Sequence, residues 1–110
     1  MSELLTKHCR TSGNGTVALD AGQVADLLKQ VLGWSFVGGH IEKTFAFKNY
    51  YETMAFVNAT AFISHREDHH PDLEVGYDKC KVKYSTHAVN GLSDNDFICA
   101  ARMDALFDRD

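Results

Sequence analysis

The chain has 110 residues, which is the size of one ordinary domain and leaves no room for a second. Apolar residues make up 45% and charged residues 24%, a soluble globular mix that excludes disorder and collagen-like repeats. Eleven basic residues against fifteen acidic ones give a net charge of −4, which argues against a nucleic-acid binder, since that role needs a basic face to displace counterions. No apolar run approaches the ~20 residues that span a bilayer, and Met1 to Arg10 carry no signal-peptide core, so no membrane partner is expected. Cys9, Cys80 and Cys99 are odd in number, widely spaced and in no CxxC pair, which points to a reduced, cytosolic setting.

The first 16 residues mix small and polar types around Ser12-Gly13-Asn14-Gly15 and read as a mobile tail or a loosely tied lead-in. Residues 17–110 then form a single domain. Asp20 with Gln23 three residues on is a capping box. Val24, Leu27, Leu28, Val31 and Leu32 follow as the apolar stripe of a helix that Gly33 stops. Residues 34–37 and 41–47 read as strands around a Gly38-Gly39 hairpin, with Ile41, Phe45 and Phe47 on the core face. Asn49 and Glu52 are a second capping pair, opening a long helix through Met54, Val57 and Ala61 towards His65. Pro71 ends that run and pushes His70 towards extended backbone. Leu73, Val75 and Tyr77 alternate, and Cys80, Val82 and Tyr84 alternate against Lys79, Lys81 and Lys83, giving two half-buried strands, the second ending at Thr86. Asn90-Gly91 breaks the chain, and Ser93 with Asp96 opens a last helix. The order α-β-β-α-β-β-α predicts an α+β fold, a four-stranded antiparallel sheet with three helices on one face.

Histidine stands out, with four of the six residues lying between His65 and His87. His69 and His70 follow the long helix, and His87 follows the strand, on the parity of Lys81 and Lys83 and so away from the helix-packed core. Imidazole exchanges a proton near neutral pH without large tuning, so several of them with no nucleophile beside them suggest proton transfer or metal binding. The plainer readings stand beside this one. His8 and His40 read as surface or structural residues, Asp96 as the capping partner of Ser93, Tyr77 as a core-edge aromatic, and the three lysines as a solvated face. A metal site would use His65 and His69 at i, i+4 with His87 as a third ligand, but the HExxH pattern fails because Arg66 follows His65. Cys80 shares parity with core residues, where a thiol is inert.

His65-x3-His69-His70-Pro71, five residues to Tyr77, nine to His87 and eight to Asp96 resembles the signature of the pterin-4a-carbinolamine dehydratases. The stretch HHPDLEVGYDKCKVKYSTHAVNGLSDNDFICAARMDAL is similar to that family almost throughout, as are Gly33-Trp34 and the spacing of Phe45 and Phe47; the likeness covers about residues 20 to 107. The resemblance implies a homodimer or homotetramer of this α+β fold. It also implies dehydration of 4a-hydroxytetrahydropterin to quinonoid dihydropterin, with no metal or cofactor, in support of an aromatic amino acid hydroxylase. By matching positions it makes His69 and His87 the acid/base pair, assisted by His70 and Asp96, with Asp96 orienting or electrostatically supporting a histidine. His70, Pro71, His65, Leu73 and Thr86 would bind substrate. The first signature position is often glutamate where this chain has His65, with Asp68 three residues on as a neighbouring charge. Some members carry tryptophan where this chain has Leu73. The alternative implied by some family members is a dimerising transcriptional cofactor that keeps the scaffold without the activity.

Overall fold

The computed structural model describes residues 3–9 and 17–107; the rest of the expected N-terminal tail, including residues 10–16, lies outside the described residues. The regular elements are α1 (Ala21–Leu28), β1 (Ser35–Val37), β2 (His40–Ala46), α2 (Tyr50–Glu67), β3 (Asp72–Val75), β4 (Lys79–Tyr84) and α3 (Asp94–Phe107), with 3-10 turns at Glu3–Thr6 and His87–Val89. The strands form one antiparallel sheet in the order β1-β2-β4-β3. None of the helices among the described residues is long and apolar enough to cross a membrane.

The period-2 pattern decides the sheet. Phe45 sits opposite Cys80 and Ile41 opposite Tyr84. These four and Val82 are at most 1% exposed, packed under the helices. On the other parity Glu42, Lys81, Lys83 and Glu74 form an ion-paired solvated face. His40 Nε2 lies 2.8 Å from Glu42 Oε1. That bond, ahead of the nearby lysines, holds the Glu42 carboxyl below its ordinary value.

Several element details differ from the sequence reading. The Asp20–Gln23 capping box forms in both directions, but α1 ends at Leu28, so Val31 reaches the core through a turn while Leu32 stays exposed. Gly33 has φ +89°, and a Cβ there would press on the Lys43 side chain at 3.1 Å. Lys43 is held in place by Asp104 at 2.8 Å, which also accepts from Trp34 Nε1. β3 stops at Val75, and Tyr77 is 66% exposed rather than at the core edge.

The face that α2 buries carries Thr53, Phe56, Thr60, Ile63 and Glu67, with Val57 half-buried against the core beside it. Threonine is tolerated there because its hydroxyl bonds locally. Thr53 Oγ1 reaches the Asn49 and Tyr77 carbonyls at 2.9 Å each, and Thr60 Oγ1 reaches the Val57 carbonyl at 2.7 Å. Asn49 caps the helix through the Glu52 N–H, but Glu52 Oε1 accepts from Lys48 N instead of completing the box. Asp68, at φ 52°, ends the helix three residues before Pro71.

Glu67 is 4% exposed and fastens the described part of the N-terminal segment. It accepts from Cys9 N at 2.8 Å and lies 3.1 Å from His8 Nδ1 and 3.5 Å from Arg102 Nε. Arg102 also donates to the Lys7 carbonyl. Leu4 inserts into the core at 2% exposure. The stretch read from sequence as a tail or loose lead-in is therefore tied down over Leu4–Cys9. Burial raises the Glu67 carboxyl pKa, but the Cys9 N–H, His8 and Arg102 outweigh it and leave the carboxyl below its ordinary value.

Candidate functional site

The site forms where the exit from α2, the end of β4 and the start of α3 meet. Left-handed Asp68 turns the chain off the helix, so His69 leaves the face that carries His65, and the i, i+4 arrangement needed for a shared metal is not made. His69, 8% exposed, instead stacks on Tyr84 at 5.6 Å with the rings 10° from parallel. Its Nε2 lies 2.7 Å from Asp96 Oδ1. Asp96 is fully buried at the third position of α3, where its Oδ2 accepts from Ser93 N at 3.0 Å and from Thr86 Oγ1 at 2.8 Å. Ser93 Oγ in turn lies 2.7 Å from Thr86 Oγ1. Because the Thr86 proton goes to Asp96, Ser93 is the donor in that last bond. The capping pair expected at Ser93 and Asp96 is thus half formed: the carboxylate reaches back to the backbone, while the serine hydroxyl supports Thr86.

This arrangement fixes the tautomer of His69. Thr86 Oγ1 and Ser93 N both donate to Asp96, and a carboxylate only accepts, so the nitrogen that faces it, Nε2, is the one that carries a proton. Asp96 meets hydroxyl, backbone and imidazole donors, so its negative charge is available to stabilise an imidazolium at His69. The ring is held on one flank by Tyr84 and at Nε2 by Asp96, so Nδ1 is the nitrogen turned away from the carboxylate.

His87 does not extend the strand. β4 ends at Tyr84, Thr86 makes an isolated bridge with Gly91, and His87 opens the following 3-10 turn in an exposed position. It lines a cavity of about 270 Å³ with His40, Ser85, Thr86, Asn90 and Gly91. Thr86 therefore belongs both to this cavity wall and to the Asp96 network. His40, read from sequence as a surface or structural residue, shares the cavity with His87. His65 and His70 are exposed, while Pro71 and Leu73 are half-buried, Leu73 lying opposite Val82. The structure thus joins His69, Asp96 and Thr86 directly, whereas His87 lines a cavity whose wall includes Thr86 but not His69. Among the described residues, no group of three or more His, Cys, Asp or Glu side chains is arranged to hold a metal ion.

The sequence profile described as pterin 4 alpha carbinolamine dehydratase matches residues 17–106. The chain belongs to that family. A Nitrosospira multiformis protein provisionally named pterin-4-alpha-carbinolamine dehydratase is 55% identical over 107 residues, covering 97% of this chain and 95% of the relative. A Bdellovibrio bacteriovorus protein with the same provisional name is 59% identical over 93 residues, covering 81% of this chain and 78% of the relative. Among solved structures, a transcriptional coactivator/pterin dehydratase from Brucella melitensis matches with a TM-score of 0.80 at 27% identity, over 83% of this chain and 99% of that one. A pterin dehydratase-like protein described as a RuBisCO assembly factor in the alpha-carboxysome matches with a TM-score of 0.62 at 28% identity, over 71% of this chain and 93% of that one. The pterin carbinolamine dehydratase match takes in every residue of the His69–Asp96 network. It leaves the tied segment Leu4–Cys9 outside.

Proposed function

We propose that this chain dehydrates a 4a-hydroxytetrahydropterin to the quinonoid dihydropterin, with His69 and His87 as the proton-transfer pair. The observation that carries this reading is the buried Asp96 contact on His69 Nε2, which leaves Nδ1 as a positioned acceptor. Hydroxide is a poor leaving group, so a proton must reach the 4a-oxygen as the C4a–O bond breaks and water departs. The N5 proton leaves at the same stage, and the C4a–N5 bond becomes double. His69, through Nδ1, is the base for N5–H, and Asp96 stabilises the imidazolium that results. His87, exposed at the mouth of its cavity, supplies the proton to oxygen. Each such group contributes typically about 10²–10⁴-fold.

His70 and Pro71, beside His69, and Thr86, beside His87, bind the substrate on either side. Leu73 and His65 extend that surface where other members carry tryptophan and glutamate. No cofactor is required by this proton balance. The reaction would recycle the pterin of an aromatic amino acid hydroxylase in the cytoplasm. Tyr51 and Phe62, 80% and 66% exposed on α2, support self-association as a homodimer or homotetramer.

The test follows enzymatically generated 4a-hydroxytetrahydropterin by ultraviolet absorbance, with wild type beside His69→Ala and His87→Ala, each checked for folding by circular dichroism. Acceleration by wild type and a loss of about tenfold or more in each variant support the assignment. A wild-type rate equal to the spontaneous one overturns it and favours the dimerising-scaffold reading, a role consistent with the name of the Brucella structure.

A further inference from the structure

Two of the three cysteines, 90 residues apart in sequence, meet in space. Cys9 Sγ lies 3.4 Å from Cys99 Sγ and 3.6 Å from the Asn95 carbonyl. Both thiols are free, as is Cys80, which is buried within the sheet. Cys99 is wholly buried on α3, one turn beyond Asp96, while Cys9 is partly exposed on the segment that Glu67 and Arg102 hold down. This arrangement has the asymmetry of a thiol–disulfide exchange site, a partly exposed cysteine with a buried one already in contact.

We propose that Cys9 and Cys99 are an oxidative modification site, at which a low-molecular-weight disulfide converts the pair to a Cys9–Cys99 bond that fastens the Lys7–Cys9 segment to α3. Cys9 sulfur, as thiolate, attacks the small disulfide RSSR, forming Cys9–S–S–R and releasing one RS⁻. Cys99 sulfur then attacks the Cys9 sulfur, forming the intramolecular bond and releasing the second RS⁻. The two protein thiols are oxidised, RSSR is reduced to two RSH, and the two thiol protons end on the released thiols. Closing the pair requires the sulfurs to approach to about 2.05 Å. The segment carrying Cys9 provides that movement, because it is held by side-chain bonds and lies outside any strand or α-helix.

The setting also sets the pace. Contact with the Cys99 thiol, then burial, then the Glu67 carboxylate push the Cys9 thiol pKa well up, against the opposing pull of Arg102. Attack therefore draws on a small thiolate fraction, and the dithiol persists at neutral pH until oxidant accumulates. This proposal does not rest on the dehydratase reading.

The experiment incubates the full-length folded chain with oxidised glutathione for several hours at pH 8, then counts thiols under denaturing conditions and maps peptides by mass spectrometry. The expected result is a fall from three titratable thiols to one, a mass lower by about 2 Da with no retained adduct, and a Cys9–Cys99 peptide. Cys9→Ser, which leaves the buried Cys99 in place, keeps both remaining thiols. The oxidised wild type gains roughly 5 °C or more in Tm, and dithiothreitol reverses the gain, since a bond closing so long a loop restricts the unfolded chain. Three remaining thiols, a bridge through Cys80, a stable glutathione adduct in place of the bridge, or an oxidised form with unchanged or lower Tm would each overturn the proposal.

Discussion

Two buried carboxylates in this chain each hold a histidine, and the two pairs are built for opposite ends. Asp96 meets His69 at 2.7 Å, with the imidazole itself buried against Tyr84. Glu67 meets His8 at 3.1 Å, but the His8 side chain is 63% exposed. The remaining partners differ more than the distances. Glu67 shares its charge with Arg102 and bonds the Cys9 backbone, so its negative charge is neutralised in place by a fixed cation. Asp96 has hydroxyl and backbone donors around it, so the imidazole is the group that can answer its charge by taking up a proton. The first pair fixes one imidazole as a tautomer, while the second clamps a chain segment.

The sharpest way to break this comparison is Asp96→Asn. Thr86 Oγ1 and Ser93 N both donate, so the amide oxygen of the new side chain turns to them and its NH2 faces His69 Nε2. Nε2 must then accept, the ring proton moves to Nδ1, and the base is lost while the packing survives. Dehydration should fall by about 100-fold or more with the fold intact. Activity within threefold of wild type in steady-state assays would show that Asp96 does not set the tautomer.

The legible and illegible parts of this molecule divide along physical lines. Alternation at Cys80, Val82 and Tyr84 predicts the sheet's core face because period 2 alone puts those side chains on one side of the sheet, whatever packs over them. The buried face of α2 is not legible from hydropathy because Thr53 and Thr60 satisfy their hydroxyls with carbonyls, which hydropathy does not register. Glu67 lies on the same stripe as Thr60 and Ile63, yet its partners are 58 or more residues away in one direction and 35 in the other, beyond the reach of any local pattern. The Cys9–Cys99 contact was hidden for the same reason. His69, Asp96 and Thr86 stand in the text as a motif matched to a family, but their mutual bonds come from a left-handed turn at Asp68 that no hydrophobic period signals.

The clamp is tested next by Glu67→Gln. Removing the charge breaks the Arg102 pair and weakens the bonds to His8 and Cys9 N, at a cost of about 2 kcal/mol by urea unfolding. Activity per folded molecule should stay within about twofold of wild type. The pH dependence has a definite sign. Glu67 has a folded pKa below its ordinary value of 4.5, so its stabilisation is complete above that value and is lost as pH falls through the lower folded one. The stability gap between wild type and Glu67→Gln should therefore hold from pH 8 to 5 and shrink below about 4. Glu42 and Glu74, also held below their ordinary values by His40 and by Lys83 respectively, are present in both proteins, so the difference isolates Glu67. A gap that widens on acidification would mean that burial, and not the surrounding donors, governs this carboxylate.

The smallest effect separates the two histidines themselves. His8→Ala removes a mostly solvated ring from a carboxylate that retains Cys9 N and Arg102, so stability should change by no more than about 0.5 kcal/mol and turnover not at all. The same truncation at His69 leaves Asp96 buried without its imidazole and removes Nδ1, so turnover should collapse. The distances to the carboxylates differ by 0.4 Å, too little to separate the two consequences. Burial of the ring and the absence of a competing guanidinium among Asp96's described contacts make the difference. If His8→Ala were to cost turnover as His69→Ala does, the N-terminal segment would have to be read as part of the reaction site and not as its clamp.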